Sequence, residues 1–349
     1  MKKIVFSGLV YGQKPTGIHR YANEILLEID KKIESGEYEL IVPEYAKNIP
    51  DFKNIKVVRY GKVKGLLWEQ TSLLMYLYKN HAISINFTNS VPLLKPGVIV
   101  IHDVGYKVNP SFYKSLHGKL AMWWHRFNYW WASVCRIPVI TVTEYSKKSI
   151  EKYYHINGDK ITVIPNAWQH IERVVEEPQT LNRYGLQQKE FYFTLGSVSK
   201  RKNIEWIFNA AAKFPEDEFV VAGAAAKNSA ANDNVIPSNV KMPGYISDAE
   251  MKSLMRNCKA FIFPSLFEGF GIPPLEAMSV GSPVIASNAS CLPEIYGDAV
   301  TYIDPLVIPE KLDYFMDSQK TNRVLRKYSW SKSADLMFRF AKRIGEEHK

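Results

Sequence analysis

Short, continuously apolar runs, each followed by a polar loop and then a helical period, constrain this chain most. VIVIHDV (98–104) and IPVITVTEYS (137–146) are the clearest of them. A strand apolar on both faces must be covered on both faces, which is the condition of a parallel sheet flanked by helices. KIVFSGL, YELIVPE, IKVVRY, ISINFT and KITVIPNAW complete a first set. The first strand runs through a Gly-containing loop into a helix with apolar residues at Ile18, Tyr21, Ala22, Ile25, Leu26 and Ile29. Residues 169–190 are polar and charged, and then the alternation restarts with FYFTLGSV, EFVVAGA, VKMPGYIS, KAFIFPS and GSPVIAS. The pattern predicts a doubly wound α/β chain in two units, 1–168 and 169–330. An amphipathic helix over 331–349 is expected to pack back toward the first unit. Ligands in such sheets bind beyond the carboxyl ends of the strands, so two facing units would form a cleft.

A chain of 349 residues suits two domains. Cys135, Cys258 and Cys291 have no metal-ligand spacing and cannot all pair, which points to a reducing compartment. The N-terminus MKKIVFSGLVYG reads as a buried first strand rather than a signal peptide, because its apolar run is short. No run is long enough for a transmembrane helix. The net charge of +10 is unevenly placed. Residues 1–165 hold 23 basic and 13 acidic side chains, whereas residues 166–349 hold 22 of each. A basic first half suits an anionic partner: a membrane surface, a nucleic acid or a phosphorylated substrate. Plain solvated lysines explain the charge equally well.

The chemistry concentrates in FPSLFEGFGIPPLEAMSVGSPVIASNASCLPEI (263–296). Glu268 follows a strand in a glycine-flanked loop, where a carboxylate can accept two hydroxyl hydrogens, as from a sugar ring. A solvated loop glutamate is the plainer reading. With Pro274 as the first helical residue, Glu276 falls in a first helical turn. It can then serve the helix dipole, grip a ribose diol, or do both. Lys200-Arg201-Lys202 lies between a strand and a helix, where cations suit a departing diphosphate or simply form a basic surface loop. His102 ends the VIVI run and is either a ligand-facing group or a core histidine satisfied by backbone. The chain has no GxGxxG, GxSxG, Walker A, HExxH or CxxC motif. It has no Asp-x-Asp pair to hold a metal on a substrate diphosphate.

Together these segments resemble the retaining nucleotide-sugar glycosyltransferases of family 4, which have the GT-B fold of two facing Rossmann-like domains. Pro264-Ser265, Glu268-Gly269-Phe270-Gly271, Pro274 through Met278 and Gly281 through Ser287 resemble that family's E-x7-E region. Arg201-Lys202-Asn203, Pro165-Asn166, Thr16 through Tyr21 and His102-Asp103 resemble its other marks. The resemblance implies that Glu268 contacts the donor sugar, Phe270 and Gly271 offer backbone N–H groups, and Glu276 holds the ribose. It implies that Lys202 and Arg201 neutralise the diphosphate, that Gly17 approaches it, and that His102 lies near the transferred sugar. Gly244-Tyr245-Ile246 would receive the base, with Tyr245 and Ile246 as its contacts. Gly196-Ser197 stands where many members carry Gly-Arg or Gly-Thr, with Ser197 as the expected phosphate contact.

The implied activity is sugar transfer from a nucleoside diphosphate sugar, with GDP-mannose first and dTDP-rhamnose and UDP-sugars close behind, to a growing lipid-linked cell-surface glycan. No metal or other cofactor and no nucleic acid enters. The run Trp123-Trp124-His125-Arg126-Phe127-Asn128-Tyr129-Trp130-Trp131 suits either an anionic membrane surface or a helical core. With the basic half, it suggests a cytoplasmic protein peripheral on the inner face of the membrane. A GT-B sugar-nucleotide epimerase, or a sugar-phosphate synthase with a soluble acceptor, is the alternative.

Overall fold

In the computed structural model, residues 2–196, 199–223 and 236–347 are described. The chain divides into two units, residues 1–166 with 330–349 and residues 167–329.

The sheet of unit 1 contains β1 (Ile4–Ser7), β2 (Glu39–Val42), β3 (Lys56–Arg59), β4 (Ile83–Asn86), β5 (Val98–Val100), β6 (Val139–Thr141) and β7 (Ile161–Val163). Their order is β3-β2-β1-β4-β5-β6-β7, and every pairing is parallel. β1 and β2 are buried along their whole length and β3, at the edge, is mostly exposed. Burial on both faces is what the continuous apolar runs require. The run 98–104 keeps ladder bonding only to Val100 and continues through Ile101, whose N–H donates to Ile140 O at 2.8 Å. His102 and Asp103 therefore leave the sheet at its carboxyl edge.

The winding of this sheet reverses between β1 and β4. The loop after β1 leads into α1 (Gly17–Asp30), which buries Tyr21, Ala22, Ile25, Leu26 and Ile29. These are the positions the helical period singles out. The Tyr21 hydroxyl donates to Ile164 O at 3.1 Å and ties the helix to the end of β7. A longer helix, α2 (Leu116–Val134), is capped by Ser115, whose hydroxyl accepts from Gly118 N. The helix after β6 starts at Glu144 and is capped by the Thr143 side chain.

Unit 2 repeats the plan. Its strands are β8 (Phe191–Leu195), β9 (Glu218–Ala222), β10 (Val240–Gly244), β11 (Phe261–Phe263), β12 (Val284–Ser287) and β13 (Thr301–Ile303). The order is β10-β9-β8-β11-β12-β13, again all parallel, with the reversal between β8 and β11. Phe193, Phe261 and Phe263 fill the sheet's interior. α3 (Ile204–Lys213) follows β8, and α4 (Ile272–Ser279) follows β11.

The last helix, α5 (Trp330–Glu347), belongs to unit 1 and packs along α1. It buries Trp330, Met337, Phe340, Ala341 and Ile344. The Ser333 hydroxyl donates to Pro165 O at 2.7 Å, and Gly345 O accepts from Lys2 N at 3.0 Å. Trp330→Ala removes a fully buried indole that meets Tyr21 edge-on at 6.4 Å. It should cost unit 1 about 3–5 kcal/mol. Leu336→Ala, at an exposed position of the same helix, should change stability by no more than ~0.5 kcal/mol. Chemical denaturation followed by circular dichroism distinguishes the two.

Candidate active site

In an open parallel sheet, the loops on either side of the winding reversal diverge, and the space between them is open at the carboxyl edge. In unit 2 those loops are the one after β8, which carries Arg201 and Lys202, and the one after β11, which carries Glu268. Lys202 Nζ donates to Glu268 Oε1 at 2.7 Å, and the Arg201 guanidinium stands 3.9 Å from Oε2. The Lys202 ammonium also lies over the Phe263 ring, 4.9 Å from its centroid.

The loops are fixed to each other by backbone. Leu266 N donates to Arg201 O at 2.8 Å. Asn203, in the left-handed region at φ 55°, sends its side-chain amide to Pro264 O and Pro305 O. That conformation is one asparagine tolerates better than most residues. Glu268 N in turn donates to Ser290 Oγ at 2.9 Å.

Glu268 is only 6% exposed. Burial works to raise its carboxyl pKa. The Lys202 and Arg201 charges, with the Lys202 hydrogen bond, outweigh burial and hold it below the usual range. Glu268 is thus not the solvated loop residue of the plainer sequence reading.

Gly271 precedes α4 with φ 91°. A Cβ there would stand 2.7 Å from the Tyr296 hydroxyl and 2.9 Å from Leu292 Cδ2. Tyr296 OH donates to Gly271 O and pins the turn. The Phe270 side chain is buried against Tyr328, ring centroids 5.2 Å apart, so only its backbone is available to a ligand.

Glu276 departs from the sequence expectation. α4 begins at Ile272, so Glu276 falls in the second turn and no acid stands in the first. The dipole reading of this residue therefore falls away. The side chain is 3% exposed, and His170 Nε2–H donates to its Oε1 at 2.5 Å. His170, which no motif singles out, comes from a 3-10 turn (Gln169–Arg173) at the entry to unit 2.

Tyr245 and Ile246 follow β10, the edge strand, two strands away from β8. Tyr245 is 92% exposed and Ile246 is buried. Neither is brought against the Lys202–Glu268 pair. Ser197 lies outside the described residues.

Unit 1 has its own cavity, of about 520 Å³, at the reversal between β1 and β4. Gln13 and Ile18 line it from the β1 side, and Thr88 and Asn89 from the β4 side. Trp124, His125 and Tyr106 line it as well, with Tyr106 stacked on His125 at 4.8 Å. Among the described residues, the Trp124 indole nitrogen is buried without a hydrogen-bond partner. Asn89 sits at φ 60°, a conformation rare outside glycine. Its Oδ1 accepts from His102 N at 2.9 Å, and its carbonyl meets His125 Nδ1 at 3.2 Å.

His102 Nε2 donates to Phe87 O at 3.0 Å, so this histidine is satisfied by backbone. Burial, opposed by that carbonyl and by Asp103, pushes its pKa down to about 4. The ring is neutral at pH 7, with Nδ1 left as its acceptor. Gly17 opens α1, and among the described residues nothing lies within 4 Å of where its Cβ would stand. Packing among the described residues therefore does not demand a glycine at that position.

The aromatic run 123–131 divides among three surroundings. Trp123, Phe127 and Trp130 are exposed, Asn128 and Tyr129 are buried, and Trp124 and His125 face the cavity.

Paired cations and a buried carboxylate at the reversal of a parallel sheet suit transfer from a donor with a diphosphate leaving group. The chain is a glycosyltransferase with the GT-B fold. Residues 176–331 match the model of the family described as Glycosyl transferases group 1. The chain is 24% identical over 343 residues to O-antigen chain mannosyltransferase B of Escherichia coli, covering 87% of each chain. It is 26% identical over 259 residues to O-antigen chain mannosyltransferase RfbU of Salmonella typhimurium, covering 70% of this chain and 68% of the relative. Among solved structures it is similar to WaaG, a glycosyltransferase involved in lipopolysaccharide biosynthesis. That likeness has a TM-score of 0.64 at 17% identity and covers 98% of this chain and 94% of the other.

Lys202→Met leaves burial of Glu268 opposed chiefly by the more distant Arg201. The carboxyl pKa should then rise above its unfolded value. A folded state that binds the proton more tightly gains stability as pH falls, so the variant should become more stable between pH 7 and pH 5. In the wild type, with the folded pKa depressed, stability from this group is present above the unfolded pKa and is lost as pH falls toward the folded one. Urea denaturation should show the variant gaining stability between pH 7 and pH 5, where the wild-type contribution of this group stays level, and the wild type losing that contribution only below the unfolded value of 4.5.

Proposed function

We propose that the protein is a retaining mannosyltransferase using GDP-mannose, acting without a metal ion on a lipid-linked surface glycan. The observation that carries this reading is the Lys202–Glu268 pair at the β8/β11 reversal, inside the segment that matches group 1 glycosyltransferases. The relatives, mannosyltransferases of O-antigen chains, support the sugar and the acceptor class. They do not favour an epimerase or a sugar-phosphate synthase.

On this reading Glu268 accepts hydrogen bonds from the donor sugar, and Phe270 and Gly271 offer it backbone N–H groups. Glu276 holds the ribose. Tyr245 and Ile246 form the base side, and Gly17 admits the phosphates. As the bond from C1 to the phosphate oxygen breaks, negative charge builds on the diphosphate. Lys202 and Arg201 stabilise that charge in place of a metal ion. The acceptor oxygen bonds to C1 on the face the phosphate leaves, and its proton passes to the departing phosphate. His102, neutral at pH 7, serves as a hydrogen-bonding partner of the sugar rather than as an acid.

Unit 1 takes the acceptor. Its cavity combines a tryptophan and a histidine with amide and hydroxyl groups, a lining suited to a sugar ring. α2, which lines that cavity, also carries exposed Leu116, Leu120, Trp123, Phe127, Trp130 and Val134 at alternating spacings of four and three. Arg126 lies over the Trp123 ring at 4.9 Å, and the chain's whole charge excess is in this half. Aromatic residues beside cations suit an anionic bilayer surface. Among the described residues no helix is long and apolar enough to cross a membrane. The reading is therefore peripheral docking on the inner face of the membrane, and buried free Cys258 and Cys291 suit the reducing cytoplasmic side.

With GDP-mannose and a lipid-linked glycan in anionic vesicles, GDP should be released only when acceptor is present. NMR of the product should show the donor's anomeric configuration retained. Trp123→Ser with Trp130→Ser should slow transfer to the vesicle-borne acceptor but not to a water-soluble fragment of it. Nucleotide release without acceptor, or an inverted product, would overturn the reading.

A further inference from the structure

Glu276 is buried in the second turn of α4, and one of its oxygens already has a partner. His170 Nε2–H donates to Oε1 at 2.5 Å, across a separation of 106 residues in sequence. Both side chains are buried, 3% exposed each. Among the described residues, Oε2 of Glu276 accepts no hydrogen bond. The backbone on either side of the histidine is fixed. Trp168 Nε1 donates to Leu325 O at 3.0 Å, and Gln169 Nε2 donates to Tyr328 O at 2.9 Å. The imidazole is thus carried on a turn clamped to the end of the helix Ser318–Lys327. His170 also lies outside the segment that matches the family model, residues 176–331.

We infer that His170 is a positioning residue for donor binding: it pins one oxygen of Glu276 so that the other is presented to the ribose hydroxyls of the nucleotide. A carboxylate with both oxygens free turns about its terminal torsion, which is broad and roughly two-fold. Pinning Oε1 with a strong hydrogen bond leaves Oε2 in one orientation before the ligand arrives, so less ordering is needed on binding. The same bond provides a partner for an oxygen that burial would otherwise leave without one. His170 itself does not touch the nucleotide. Its effect is confined to the affinity for a ribose diol and does not extend to the chemical step.

The inference rests on the reading that Glu276 holds the ribose, and the experiment separates the two. The probes are GDP and 2′,3′-dideoxy-GDP, with dissociation constants measured by calorimetry. Wild type should bind GDP about tenfold or more tightly than the dideoxy nucleotide. Glu276→Gln should erase most of that preference. His170→Leu should weaken GDP by about fivefold or more while leaving the dideoxy nucleotide unchanged. In turnover it should raise KM for GDP-mannose with little change in kcat. His170→Gln, whose amide nitrogen can reach the same oxygen, should restore the preference, and the shorter His170→Asn should not.

If Glu276→Gln keeps the preference for GDP, the ribose role of Glu276 is wrong. If Glu276→Gln loses it but His170→Leu keeps it, the positioning role is wrong. Equal weakening of both nucleotides by His170→Leu would reduce His170 to a structural residue and overturn the inference. If His170→Leu does not fold, the Gln and Asn pair decides, and equal behaviour of those two overturns it.

Discussion

The reversal of winding in a parallel sheet is the constraint on which the rest of this molecule depends. A strand in such a sheet can send its following loop to one face or the other, and where the direction changes two adjacent loops part. Nothing in the sheet fills the space between them. In each unit that space is bordered by the most distinctive polar groups of the unit. Between β8 and β11 stand Arg201, Lys202 and Glu268, and between β1 and β4 lie Gln13, Thr88 and Asn89 at the mouth of a cavity. The sheet positions these groups, and the loops supply the chemistry.

At the second reversal the electrostatics are arranged before any ligand is present. Removing a carboxylate from water is costly, and the ammonium at 2.7 Å and the guanidinium at 3.9 Å that face Glu268 keep it charged. The same two cations gain by it, since a negative partner keeps them oriented at the sheet edge. A diphosphate arriving there would meet cations already aimed and partly desolvated, which is the condition for strong stabilisation of developing charge. Glu268 and Lys202 are therefore one unit, and removing Lys202 alters the ionisation of Glu268. A lysine substitution at this site changes stability as well as chemistry, so each must be read separately.

Much of this was legible in the sequence, because the signals were local. Continuous apolar runs marked parallel strands, and the 3.6-residue period of α1 named its buried face. The loop residues Glu268 and Lys202 followed their strands directly. What the sequence hid was set by tertiary contact. The His170–Glu276 hydrogen bond joins residues 106 positions apart, and His170 sits in a stretch that reads only as a polar linker. The two prolines point to a helix opening at Pro274. A left-handed Gly271 lets the helix begin at Ile272, which moves Glu276 out of the first turn. The aromatic run 123–131 offered a choice between core and surface. A helix that lines a cavity, packs on a sheet and faces solvent distributes one run among all three. Asn89 carried no signal at all, since its role depends on a backbone conformation and on His102 and His125 from two other segments.

If the cations at the β8/β11 reversal recognise the diphosphate of the donor and not its nucleoside, GDP binding depends on Lys202 and guanosine binding does not. Calorimetric titration of wild type and Lys202→Met with guanosine and with GDP tests it directly. GDP binding should weaken by about tenfold or more in the variant while guanosine binding is unchanged. Equal affinity of the two proteins for GDP, or equal loss for guanosine and GDP, would contradict it.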